Sequence, residues 1–70
     1  MEGTYQIVQA GKLQVGDCFM LIHDFNQVRH YVVQTRYYDQ HTFTWDIQAL
    51  KDSGRTQIFR WDDLVLVKVG

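Results

Sequence analysis

The chain contains no proline in 70 residues, so no strand is barred from a sheet interior for want of an N–H, and no proline-rich linker divides it. It has a single cysteine, Cys18, which excludes an intramolecular disulfide. No apolar run approaches the about 20 residues that a membrane-spanning helix needs. The opening Met1-Glu2-Gly3-Thr4-Tyr5 has neither the basic stretch nor the apolar core of a secretion signal, and a soluble, cytoplasmic protein is expected. Excess charge is missing too. Seven Lys and Arg stand against eight Asp and Glu, and a net charge of -1 removes the general electrostatic drive toward duplex nucleic acid or anionic lipid. Glycine is sparse: the five residues are scattered without Walker or dinucleotide spacing, which excludes a phosphate-cradling loop.

What the chain does have is 46% apolar and 14% aromatic residues, the composition of a folded domain and not of a disordered tail. Residues 1–70 form one domain. A chain of this length buries only about 60% of the surface it exposes when unfolded, so its core must be dense.

Short apolar or alternating runs predict strands at 5–8, 18–22, 28–38, 42–51, 55–61 and 65–69, with a tight turn at Trp61-Asp62-Asp63-Leu64 and no convincing helix. The register of the central hairpins follows from side-chain parity. Gly54 in the loop Asp52-Ser53-Gly54 suits the left-handed position of a three-residue hairpin loop, which sets Lys51 opposite Arg55, Ala49 opposite Gln57 and Ile47 opposite Phe59. Trp45 then faces Trp61, and on the reverse side Asp46 faces Arg60. For the preceding hairpin, the odd loop Asp39-Gln40-His41 pairs Tyr37 with Phe43, Thr35 with Trp45 and Val33 with Ile47. An even loop without a bulge would instead send polar side chains to the core. The expected core face is therefore Tyr31, Val33, Thr35, Tyr37, Phe43, Trp45, Ile47, Ala49, Phe59 and Trp61.

The approach Leu13-Gln14-Val15-Gly16-Asp17, a strand, a loop, a three-stranded meander, one turn and the closing Asp63-Leu64-Val65 resemble the small SH3-like barrels over roughly residues 13 to 69. The resemblance implies an all-β, five-stranded barrel built as an antiparallel meander, with 5–8 available as an extra N-terminal strand. It brings no binding residues with it. Residues 18–22 and 64–67 are apolar on both faces, so their outer side needs a cover. The segment 5–8 folded back and the matching strand of a second subunit, making a homo-oligomer, are equal candidates.

Chemistry-bearing residues are few. Cys18, His23, His30 and His41 are separated by five, seven and eleven residues, which matches no zinc module, and no metal or cofactor is expected. Ser53 is turn chemistry, the adjacent Asp62 and Asp63 point apart on an extended chain, and Cys18 inside its apolar run reads as a buried, inert thiol. The chain is thus expected not to be an enzyme. Two binding readings remain. In the first, Val32, Tyr38, Leu50 and Ile58 form an outer sheet face with Arg36 and Arg60, while Phe25 projects from the first long loop or folds back as a lid. This makes a small interaction or regulatory module for a protein partner. In the second, Arg29, His30, Arg36, Tyr37, Tyr38, Arg60 and Trp61 interleave cations with aromatics as single-stranded RNA or DNA binders do, although Asp46 would neutralise that face. The binding residues expected are Phe25, His30, Arg36, Tyr38 and Arg60.

Overall fold

Two turns are built on glycines whose backbone lies in the left-handed region, Gly16 at φ +95° and Gly54 at φ +94°. At the first, the Asp17 N–H donates to the Gln14 carbonyl at 3.0 Å, and the Asp17 carboxylate accepts the Gln14 N–H at 2.8 Å. The turn delivers the chain into its second strand. At the other, the Gly54 N–H reaches the Lys51 carbonyl at 2.9 Å, and the Lys51 N–H reaches Arg55 at 2.7 Å. A computed structural model describes residues 4–23, 29–51 and 53–69.

The elements are β1 (Tyr5–Gln9), a single 3₁₀ turn (Ala10–Lys12), β2 (Cys18–Leu21), β3 (Tyr31–Asp39), β4 (Thr44–Lys51), β5 (Thr56–Phe59) and β6 (Leu64–Lys68). All pair antiparallel in one six-stranded sheet of order β1-β6-β2-β3-β4-β5. The chain is all-β, but the ladder does not close into the expected five-stranded barrel. Strand β6 spends one edge on β2 and the other on β1, so it has none left for β5. The N-terminal strand therefore pairs edge-on with β6 and does not lie over the apolar outer side of β2. No helix among the described residues is long and apolar enough to cross a membrane.

The β4–β5 hairpin has the register expected of it: Ile47 faces Phe59 and Ala49 faces Gln57. The β3–β4 hairpin does not. Its ladder pairs Tyr31 with Lys51 and Val33 with Ala49, slips at Gln34, and resumes with Thr35 opposite Gln48, Arg36 opposite Ile47, Tyr38 opposite Trp45 and Asp39 opposite Thr44. A four-residue loop, Gln40-His41-Thr42-Phe43, closes it. The even loop and the β-bulge compensate each other, so Tyr31 and Val33 face the core before the bulge and Arg36 and Tyr38 share that face after it. Thr35, Tyr37 and Phe43, expected inside, are exposed. The bulge sits where β3 parts from the β2 side, whose last backbone bonds join Val33 to Gly16 and Asp17, each at 2.9 Å.

The core fills the concave side. Phe19, Tyr31 and Phe59 meet with ring centroids 5.2 to 5.4 Å apart, one pair stacked and two edge-on. Val33, Ile47, Ala49 and Val65 surround them, and Ala10 and Leu13 from the segment after β1 plug the open side. That segment is tied down by the Ala10 N–H to the Asp63 carbonyl (2.8 Å) and the Gly11 N–H to the Trp61 carbonyl (2.9 Å). Alternation along β2 sends Cys18 and Met20 to the opposite face from Phe19. Cys18 is an exposed thiol and not a buried one: it begins the strand on the face away from the aromatic cluster, whereas Met20, two residues on along that face, is buried.

Candidate aromatic recognition surface

Burial stops partway along the β3–β4 hairpin. Beyond the Arg36–Ile47 pair, Tyr37 (45% exposed), Tyr38 (49%), Phe43 (77%) and Trp45 (40%) all reach solvent, leaving much of the chain's aromatic surface at one end of the sheet. Tyr38 and Trp45 are cross-strand partners on the face that carries the core, with ring centroids 5.1 Å apart at 57°. Phe43 closes the loop at φ 57°, a left-handed conformation that a bulky side chain rarely takes, and its N–H is held by the Asp39 carbonyl at 2.8 Å. The Asp39 carboxylate also accepts the His41 N–H at 2.9 Å, pinning the loop from within.

Arg36 fixes this end to the rest of the fold. Its guanidinium lies 4.5 Å from the Trp45 ring centroid, donates through Nη2 to the Gly11 carbonyl at 3.0 Å, and reaches Gln14 Oε1 through Nη1 at 3.3 Å. Gly11 allows the approach, since a Cβ there would lie 2.9 Å from both the Trp45 carbonyl oxygen and Trp61 Cβ. The Asp46 carboxylate accepts the Trp61 N–H at 2.9 Å. With these contacts, Trp45 and Trp61 become walls of a cleft of about 170 Å³ also lined by Gln9, Gly11, Lys12 and Thr44. Around the hairpin edge lies a broader, open hollow of about 380 Å³ formed by Tyr37, Tyr38, Asp39, Gln40, His41 and Asp46.

The residues expected to bind are only partly brought together. Arg36 and Tyr38 do meet, around Trp45, but on the core side of the sheet and not on the outer face, because the four-residue loop sets them opposite Ile47 and Trp45. Arg60 sits in the turn after β5. Its Nε is 4.0 Å from Asp62 Oδ1, and the Asp46 carboxylate expected to neutralise it is bonded to Trp61 instead. His30 is exposed just before β3, at the far end of that strand, beside a hollow of about 200 Å³ with Tyr5, Cys18, Phe19, Met20 and Lys68. Phe25 lies outside the described residues. Val32, Leu50 and Ile58 do share the outer face. Sequence parity missed Tyr37, Phe43 and Trp45 as exposed aromatics and Trp61 as a half-buried one. The available signal was the stretch Asp39-Gln40-His41-Thr42-Phe43, whose polar residues suit a loop longer than three.

Among the described residues no three His, Cys, Asp or Glu side chains cluster as metal ligands would. Compared with known proteins, the chain matches no family model, no curated protein and no solved structure.

Proposed function

We propose that the chain is a small, non-catalytic module that binds a protein partner through the aromatic end of its β3–β4 hairpin, with the adjoining loops contributing. The observation that carries this reading is the exposed set Tyr38, Trp45 and Phe43, the first two packed together under the Arg36 clamp and the third fixed by the pinned loop, with Tyr37 on the reverse face held by its hydroxyl on Gln48 Oε1. Tyr, Trp and Arg together are the composition of interface centres, and pre-ordered side chains lose little entropy on binding. The charges around the surface favour protein over nucleic acid. Arg36 is engaged by Trp45, Gly11 and Gln14, Arg60 lies near Asp62, and Asp39 and Asp46 line the open hollow, where they would repel phosphate.

In fold terms the reading is of an SH3-like barrel opened at one seam. Supporting it are the pairing of the last strand β6 with β2, the first strand after the Gly16 turn, and the Ala10–Asp63 and Gly11–Trp61 bonds that draw the two ends of the ladder together.

The test uses the wild-type chain and a Tyr38→Ala/Phe43→Ala variant as parallel baits with quantitative mass spectrometry, alongside anisotropy titrations into random-sequence single-stranded RNA and DNA. Partners enriched on wild type and lost on a variant with an unchanged melting temperature are expected, with no nucleic-acid binding at low salt. An identical partner set on both baits would sink the reading. Salt-sensitive binding to the oligonucleotides, weakened by the variant, would transfer the surface to nucleic acid.

A further inference from the structure

We propose that a second copy of this chain adds to the open edge of β1, strand against antiparallel strand about a two-fold axis through Ile7, continuing the sheet across the pair. The argument starts from the two edges that the ladder leaves. Edge strands normally carry protection against pairing with another chain, in the form of charge, proline, bulges or shortness. β5 is protected: it is four residues long, Arg55 and Arg60 flank it, and the Arg60 N–H is taken by the Asp63 carboxylate at 2.9 Å. β1 is not. Its five residues, Tyr-Gln-Ile-Val-Gln, include no charge and no proline, and its pairing with β6 runs without a bulge from Tyr5 to Gln9. No described strand covers its other edge.

Backbone direction shows which groups that edge presents. The Val69 N–H donates to the Thr4 carbonyl at 2.8 Å, so Thr4, Gln6 and Val8 turn their N–H and C=O groups toward β6. Tyr5, Ile7 and Gln9 therefore turn theirs outward. An antiparallel copy centred on Ile7 sets Ile7 opposite Ile7 and Tyr5 opposite Gln9, and each such pair exchanges both of its backbone hydrogen bonds. The register is self-complementary and places no like charges opposite one another, as an isologous contact requires.

Side chains support the same centre. Ile7 is 58% exposed, yet it ends an apolar row of cross-strand neighbours on the outer face, Met20–Leu66–Ile7. A second copy extends that row through its own Ile7 and closes it at both ends. Pairing of β1 with β5 of another copy would instead propagate without closing and would meet the protected edge. The proposal does not depend on the aromatic surface, which lies on the β3–β4 hairpin.

Sedimentation equilibrium of the full chain, from about 5 to about 200 µM, tests this, since a dimer's population depends on concentration. The expected species has twice the 8.3 kDa chain mass. Ile7→Lys sets two like charges against each other at the axis and is expected to weaken the dimer at least about 100-fold. Ile58→Lys on β5, where the native side chain is equally exposed at 59%, is expected to leave the mass unchanged. A wild-type monomer across the range, a dimer that survives Ile7→Lys, or a dimer lost equally in Ile58→Lys would each overturn the proposal. Should Ile7→Lys fail to fold by circular dichroism, hydrogen exchange on the wild type decides. The Tyr5, Ile7 and Gln9 amides should be protected at high concentration and lose that protection on dilution, and fast exchange at high concentration would rule the pairing out.

Discussion

Phe43 and Gly11 show how single residues hold the aromatic surface in place. Phe43 occupies the left-handed region at φ 57° with its ring largely in solvent, so it bears a backbone cost that little burial offsets. Phe43→Gly is expected to stabilise the fold by about 1 kcal/mol, seen as a melting temperature higher by about 4 to 8 °C, because glycine takes that backbone freely. Lost partner binding in a more stable protein would separate the two roles of the residue. Gly11 is the opposite case, needed for space and not for its torsions. Gly11→Ala places a methyl 2.9 Å from the Trp45 carbonyl and Trp61 Cβ and is expected to destabilise by about 1 to 3 kcal/mol in urea denaturation. Neither role could be read from the residue alone. A loop phenylalanine and an isolated glycine acquire meaning only from what the chain brings beside them.

Among the elements, the bulge in β3 has the largest consequences. The even loop by itself sets Arg36 opposite Ile47 on the core side, where it stacks on Trp45 and bonds the Gly11 carbonyl, and the bulge then returns Tyr31 and Val33 to that same side, which they would otherwise leave. Arg36→Glu loses the ring contact and two hydrogen bonds, and a cost of about 2 kcal/mol is expected from chemical denaturation. Arg60→Glu, at an exposed pair 4.0 Å from Asp62, should stay within about 0.5 kcal/mol of wild type. Equal effects of the two substitutions would remove the clamp from the account. The β4–β5 hairpin was legible because Gly54 dictates its loop and the apolar alternation agrees with it. The β3–β4 hairpin was not, since a bulge residue such as Gln34 has no compositional mark and side-chain parity is satisfied equally well by an odd loop or by an even loop with a bulge.

In the whole molecule, a curved sheet with a core on one side must be sealed by a few large side chains. Phe19 stacks on Tyr31 and meets Phe59 edge-on, uniting β2, β3 and β5. Phe19→Ala should cost about 3 to 5 kcal/mol, which is comparable with the entire stability of a small domain, so loss of the cooperative thermal transition is the expected outcome. The all-β class, the six apolar segments and the turn at Gly54 were determined by the sequence itself, because alternation with a period of two, together with turn residues between the runs, is a local property of the chain. Tertiary structure alone decided the rest. Whether β1 would cover a face or extend an edge depended on β6 having a free side, and whether Arg36 and Tyr38 shared the inward side with Tyr31 and Val33 depended on an even loop combined with one bulge where β3 leaves the β2 side. Cys18 lies on the face of its strand away from the aromatic cluster and is exposed at the strand's start, while Met20 on that face is buried. These are competitions between distant segments for the same hydrogen-bonding edge or the same core volume, and no local pattern encodes their result.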